Sequence, residues 1–293
     1  SQAVVMSRSR NLQLHIGQME EIRTILNSMK NLAYIETHKL ARFQTMQGQA
    51  VANIENAALD FLDFYPLTVA DDNNTRDIGI LVGAERGFCG DFNESLINTI
   101  AAETYSGVIA IGSRLCDRLV DYPLEVIASI EGANVAEEVP VILNRLIDAI
   151  SILPVYGGDS RPVKHRTTYV APALKLTAVY HDNETGQIVR RQILPPFPQQ
   201  RQRTLRYGNP PVLNLEPSDF FSDLIDHYLF AVLHEIFYIS LMAENQRRLQ
   251  HLEGAVNHLD DETVNLRRKS QIYRQEEITE EIEVILLNSE NNN

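Results

Sequence analysis

Cysteine is scarce in this chain of 293 residues, occurring only at Cys89 and Cys116. Two isolated thiols build neither a disulfide framework nor a zinc site, so they are expected to be small, semi-buried side chains in a reducing compartment. Basic residues are also in deficit, with 26 Lys and Arg against 39 Asp and Glu and a formal net charge of -13. That balance gives no general affinity for phosphate backbones and argues against a nucleic-acid partner. No stretch approaches 18 consecutive apolar residues, which predicts that nothing spans a membrane. Ser1 to Arg10 lack an apolar core of signal-peptide length. Work at a membrane would then require other subunits to hold the chain there. Also missing are G-K-[ST], H-E-x-x-H and G-x-S-x-G, the strings of nucleotide loops, zinc proteases and serine hydrolases. What remains, 44% hydrophobic and 22% charged residues, is ordinary for a globular protein of one or two domains.

Proline is absent from Ser9 to Phe64, where glycine occurs only as Gly17 and Gly48. There Leu12, Ile16, Met19, Ile22, Leu26, Met29 and Ala33 recur in steps of three and four, one helical face close to a coiled-coil seam. A helix of roughly 55 residues is about 80 Å long. Pro66 and the run Asp71-Asp72-Asn73-Asn74 end it. Proline is absent again from Phe220 to Asn288, with Gly254 the one glycine. Leu224, Tyr228, Val232, Glu235, Ile239 and Met242, then Leu249, Leu252, Val256 and Leu259, keep helical spacing. Ser218 or Asp219 is expected to cap this second helix. Both lengths far exceed the usual mean of about 12 residues. Neither stripe is buried alone, so the two helices are expected to pair as an antiparallel coiled coil.

Between them the period changes. A strand is predicted over 78–82, followed by a glycine-rich turn and a helix over 93–104. A strand over 107–111, a helix over 113–120 and a helix over 137–153 follow. Strands are predicted over 164–170, 174–181 and 188–194, the last two joined by a turn at 183–186 into a hairpin. Alternating strand and helix implies a Rossmann-like α/β layer with a mainly parallel sheet. The chain thus divides into a helix over 9–64, an α/β domain over 77–196 and a helix over 218–288, with the first and last packed together. Pro195, Pro196, Pro198, Pro210, Pro211 and Pro217 mark the connector before the last helix.

Gly83, Gly87 and Gly90 follow a strand and precede a helix, the place of a phosphate cradle. Their spacing is not G-x-G-x-x-G, so they read as shapers of a tight turn. Asp91 and Glu94 read as charges at the next helix N-terminus before they read as an acid/base pair. His15, His38, His227, His234, His251 and His258 fall on helices and read as exposed or seam residues, not metal ligands. Lys30, Arg247, Arg248, Arg267, Arg268, Lys269 and Arg274 suit a solvated helix face.

Four strings carry a resemblance. They are Ser28-Met29-Lys30-Asn31-Leu32-Ala33 with Lys39 beyond; Glu85-Arg86-Gly87-Phe88-Cys89-Gly90-Asp91-Phe92-Asn93; Ser240, Glu244, Arg248, Leu249 and Leu252; and Arg274-Gln275-Glu276-Glu277-Ile278-Thr279-Glu280-Glu281-Ile282. In this order and over nearly the whole chain they resemble the gamma subunits of F-type ATP synthases. The chain departs from that pattern at Asp91, in place of a glycine, at Gln271, and in its asparagine-rich end, which fits a divergent or second-copy member. The resemblance implies a non-catalytic central-stalk rotor that couples ion-driven rotation to ATP synthesis or hydrolysis in a ring of alpha and beta subunits. It implies further contacts with the epsilon subunit and the c-subunit ring, no cofactor, and a peripheral place on the cytoplasmic face of a bacterial membrane. It assigns ring contacts to Met29, Lys30, Arg248, Arg274, Gln275, Thr279 and Glu281. The competing expectations are a stand-alone nucleotide-binding α/β protein with coiled-coil arms and a plain coiled-coil adaptor.

Overall fold

The structure, a computed structural model, describes residues 2–65, 76–101, 105–153, 174–197 and 207–290. Helix α1 runs Gln2–Leu62 and helix α5 runs Pro217–Glu290, 61 and 74 residues. Pro217 opens α5, where a missing N–H costs nothing and the fixed φ suits the helix. The Glu216 carbonyl accepts from the N–H groups of Asp219 and Phe220, each at 3.0 Å. The capping position is therefore Glu216, and Ser218 and Asp219, expected as caps, lie inside the first turn. The strand expected over 164–170 lies outside the described residues.

The chain forms two compact units, one of Ser1–Tyr34 with Leu249–Asn293 and one of Ile35–Arg248. In the first unit α1 and α5 run antiparallel. Lys30 faces Glu253 at 3.9 Å, Arg23 chelates Asp260, and Arg267 pairs with Glu20, so rising numbers on one helix meet falling numbers on the other. Leu26, Leu252 and Val256 are buried together, with Met29, Ala255 and Leu259 packed against them. Each such leucine contributes about 1.5–3 kcal/mol by leaving water, whereas the flanking exposed ion pairs are worth about 0–1 kcal/mol. The seam is narrower than the sequence suggests. Met19, Leu26 and Ala33 are buried, while Ile22 is 47% exposed, because steps of seven keep the contact stripe and Ile22 falls beside it.

The second unit is built on a five-stranded sheet of order β3-β2-β1-β4-β5. Its strands are β1 Arg76–Val82, β2 Gly107–Ile111, β3 Val126–Ile130, β4 Leu174–His181 and β5 Ile188–Leu194. The first four are parallel neighbours and β5 returns antiparallel on β4, the expected hairpin. Between them lie α2 Phe92–Ala101, α3 Ser113–Leu119 and α4 Val139–Ser151, the last preceded by a 3-10 turn at Ala136–Glu138. Strand β3 has no counterpart among the strands predicted from sequence. Its sequence, Val126-Ile127-Ala128-Ser129-Ile130, is about as apolar as that of β2, so the strand signal is present there, although only Ile130 is buried.

Alternation along the strands separates two cores. Ile78, Ile80 and Val82 of β1 join Ile109, Ile111, Leu176 and Ala178 in a core shared with α1, α4 and α5. Leu81, Val108, Ala110 and Val179 point the other way, onto α2 and α3. From Ala231 to Gln246 α5 is buried nearly all round, with Val232, Leu233, Ile236, Phe237 and Leu241 each at most 5% exposed. Such a helix is a core element and not an amphipathic cover. Helix α5 also holds a window of mean hydropathy 1.3, long and apolar enough to cross a membrane, and 67% of that window is buried inside the protein. Counting uninterrupted apolar residues misses it, since scattered polar residues interrupt the run. Pairing with α1 is again antiparallel: Phe43 stacks on Tyr238, the Gln47 amide donates to the Ala231 carbonyl at 3.0 Å, and Phe61 stacks on Phe221.

Candidate functional site

Strand order reverses between β1 and β4, and in open α/β sheets the crevice at the carboxyl ends of such strands is where ligands bind. Here the crevice is filled by the protein. The turn from Gly83 to Gly90 leaves β1 and is gripped from the side by α5. Ser240 donates its hydroxyl to the Val82 carbonyl at 3.2 Å. Glu244 accepts from the Arg86 N–H at 3.4 Å and pairs with Arg248. The Arg248 guanidinium also donates to the Gly87 carbonyl at 3.2 Å, the Asn245 side-chain oxygen at 3.0 Å and the Cys89 sulfur at 3.3 Å. One arginine thus spends its fork on four acceptors, which fixes turn and helix in a single geometry.

The electrostatics follow from burial. The Glu244 and Arg248 side chains are 5% and 7% exposed. Burial pushes the Glu244 carboxyl above its ordinary value, against the opposing pull of Arg248. Burial likewise pushes the Cys89 thiol up to about 12, with the charge of Glu244 adding to the rise. Cys89 therefore stays a thiol, able to donate toward the Arg86 and Gly87 carbonyls at 3.5 and 3.4 Å. It is a packing and hydrogen-bonding group and not a nucleophile.

The other residues of the turn have equally local partners. The Asn93 side-chain oxygen accepts from the Ala84 N–H at 2.8 Å. Glu85 accepts from the Ser113 N–H and hydroxyl at 2.8 Å each and from the Gly132 N–H at 2.6 Å. These donors, at the start of α3 and after β3, are the kind that cradle a phosphate elsewhere, and the Glu85 carboxylate takes them. Gly112 makes this approach possible: its φ is +110°, and an added Cβ would lie 2.8 Å from the carbonyl oxygens of Gly83 and Ala84. A void of 10 Å³ remains between Gly83, Gly132, Ser240 and Glu244, about the room for one water molecule. Phe88, at the tip of the turn, is 47% exposed and holds φ at +64°, a strained backbone for a bulky side chain. Asp91 faces Arg247 at 3.7 Å and Glu94 pairs with Arg118, so both carboxylates have arginine partners.

The sequence-predicted contact residues are placed differently from one another. Arg248 belongs to this buried clamp. Met29 and Lys30 lie in the helix-pair unit, Met29 half-buried against Leu26 and Leu252, Lys30 opposite Glu253. Arg274, Gln275, Thr279 and Glu281 are exposed on α5, and the Thr279 hydroxyl donates to the Gln275 carbonyl at 2.9 Å. Among and beyond them Ile278, Ile282 and Ile285 are 49%, 52% and 66% exposed, an uncovered apolar face at helical spacing. Sequence alone does not reveal that the Glu85–Asn93 string and the Ser240, Glu244, Arg248 string are two halves of one contact, since 158 residues separate Arg86 from Glu244. Asn245, which orients Arg248, carries no sequence signal; spacing of one helical turn between Glu244 and Arg248 is the only hint.

Comparison with known proteins agrees with this architecture. A family model described as ATP synthase matches residues 8–288. The ATP synthase gamma chain of Clostridium botulinum strain Langeland is 23% identical over 235 residues, covering 78% of this chain and 77% of its own. Among solved structures, the rotor of the Euglena gracilis mitochondrial ATP synthase matches with a TM-score of 0.61 at 12% identity, covering 93% of this chain and 99% of that one. The central stalk and c-ring structure of the Tetrahymena thermophila mitochondrial ATP synthase matches with a TM-score of 0.53 at 14% identity, covering 79% and 99%. At such identities the structural matches speak for the fold.

Proposed function

The chain belongs to the ATP synthase gamma-subunit family, and on that premise we propose that it is the central-stalk rotor of an F-type ATP synthase. The observation that carries this reading is the family match over 8–288 onto a chain whose two ends pair antiparallel. Catalysis belongs in this reading to the surrounding alpha and beta subunits, and the chain itself is not an enzyme. The shaft is formed by residues 9–64 and 218–288, and the α/β body by residues 77–196. A shaft without threefold symmetry touches each ring subunit differently. Coupling is then a difference in contact energy between angular positions, reciprocal between rotation and nucleotide affinity.

Contacts with the ring are assigned to Met29, Lys30, Arg274, Gln275, Thr279 and Glu281; the exposed Arg274 guanidinium and Gln275 amide can exchange hydrogen bonds from one station to the next. Arg248 enters through the turn that it holds in place. The sheet-bearing unit meets the epsilon subunit and the c-subunit ring, which hold the chain on the cytoplasmic face of a bacterial membrane. Ion flow through that ring supplies the rotation.

The test is co-expression of a tagged chain with alpha and beta subunits from the same host. Stoichiometric recovery of both, with ATP hydrolysis that depends on the chain, is the expected result. Recovery of the tagged chain alone, or micromolar ATP binding by the chain in isolation, would overturn the reading.

A further inference from the structure

A rotor must pass torque between its long helices and its sheet; close packing of apolar side chains sets their positions, but the hydrophobic effect itself is non-directional. Directional, charge-assisted bonds fix an angle. Within the Ile35–Arg248 unit such bonds join three elements at one residue. Arg191 of β5 places Nη1 2.6 Å from Glu235 Oε2 on α5 and Nη2 3.1 Å from Glu55 Oε1 on α1. All three side chains are partly buried, at 26%, 16% and 39% exposure for Arg191, Glu235 and Glu55. Tyr180 and Tyr228 flank the guanidinium, and a cleft of 380 Å³ beside it keeps part of the group hydrated, which moderates the cost of burying charge.

A second tie lies 19 residues earlier on α1, counted from Glu36 to Glu55. There Glu36, 6% exposed, accepts from the Ala136 N–H at 2.7 Å, and Lys39 bridges Glu36 and Glu137 at 2.9 and 2.8 Å. The 3-10 turn before α4 and the edge strand β5 are thus each anchored to α1, and Arg191 engages both long helices in the same grip. An edge strand otherwise has few constraints on its outer side.

We propose that the Arg191–Glu55–Glu235 triad is the joint through which torque passes between the sheet and the segments of α1 and α5 that lie in the same unit, with Arg191 as a positioning residue. This rests on the rotor reading above. Arg191 touches no nucleotide or ring subunit in that reading, so its loss leaves the chemistry intact and loosens the connection.

The experiment uses the complete membrane-bound complex carrying Arg191→Gln. Two quantities are read: ATP hydrolysis by the ring, and ions pumped per ATP hydrolysed. A third is the angular spread of a bead fixed to Val141→Cys on the exposed face of α4, in a Cys116→Ala background, with the ring immobilised. The expected result is wild-type hydrolysis, a loss of pumping per ATP and a broadened angular spread. Arg191→Lys, a single point charge that cannot hold two carboxylates in a fork, is expected to fall between. A merely stabilising role would lower the melting temperature without broadening the spread in assembled complexes. If Arg191→Gln fails to assemble, Glu235→Gln and Glu55→Gln, which each keep one arm, replace it, and an unchanged spread in both sinks the joint. Unchanged pumping and spread in assembled Arg191→Gln sinks it as well, leaving the rotor reading standing. A wild-type chain that never enters the complex removes the rotor reading and the joint together.

Discussion

Glu244 and Arg248 sit one turn apart on α5 and are both buried. Each is tolerable because the other is present, and because Arg86, Gly87, Cys89 and Asn245 complete the hydrogen bonding. Truncating one member strands the other. Arg248→Met is expected to cost about 3–5 kcal/mol, while Arg248→Met combined with Glu244→Leu recovers most of it. Urea unfolding of the three proteins measures both steps, and a single variant as stable as the wild type would refute the clamp. His181 gives a second expectation. It is 3% exposed, stacks on Phe92 at 3.8 Å and has Nε2 2.8 Å from the Phe92 carbonyl oxygen. Burial lowers its pKa below the usual 6.5, with the Phe92 carbonyl pulling the other way. The unfolded chain then takes the proton more readily than the folded one. The stability this provides is fully present above 6.5 and is lost as the pH falls through the folded value. His234 shifts in the same direction, also through burial. The melting temperature is expected to drop on acidification below 6.5 and to drop less steeply in His181→Leu. Identical pH profiles for the two proteins would count against it.

At the scale of elements, the helix pair of the first unit depends on a short list of seam residues. Leu252 is fully buried between Leu26 and Val256. Leu252→Ala is expected to cost about 2–5 kcal/mol through lost transfer energy and the cavity left behind. Leu252→Asp adds an unpaired buried charge and is expected to weaken assembly with the alpha and beta ring or uncouple it. Normal ATP synthesis by a reconstituted Leu252→Asp complex would show that the seam is elsewhere. The flanking pairs Arg23–Asp260 and Arg267–Glu20 are exposed on both sides and set register more than stability. Element identity is readable from local pattern wherever burial is one-sided or complete: β2, β4 and β5 occupy 107–111, 174–181 and 188–194, as their apolar content implies. Strand β3 carries a comparable apolar, β-branched string, Val-Ile-Ala-Ser-Ile, so it too is marked in the sequence, and what the sequence does not show is that only Ile130 of it is buried.

For the molecule as a whole, the division at 34/35 and 248/249 has a consequence for dissection. The Ile35–Arg248 unit is one continuous stretch with its own sheet and both of its cores. A fragment of residues 35–248 is expected to fold cooperatively alone, giving a single sharp transition by circular dichroism; a featureless, non-cooperative melt would show that the terminal helix segments are needed. The other unit draws on both chain ends and cannot be excised as one piece. Long helices, a mainly parallel sheet and the family strings are all legible in the order of residues. The candidate site is only half legible: the glycines and the Glu85–Asn93 string stand out, whereas the partners that occupy their donors do not.

The sequence by itself determined where the two long helices and most of the described strands form, because hydrophobic period and the placement of proline and glycine act over a few neighbouring residues. It also determined the family, through strings spread over nearly the whole chain. Tertiary structure alone decided what those strings do to one another. Glu85 fills the place of an anion, Arg248 turns from a surface charge into a buried clamp, and Arg191 finds carboxylates on two helices. Those outcomes depend on distances between residues far apart in the chain, and only the packing of apolar faces on both sides of the sheet fixes such distances.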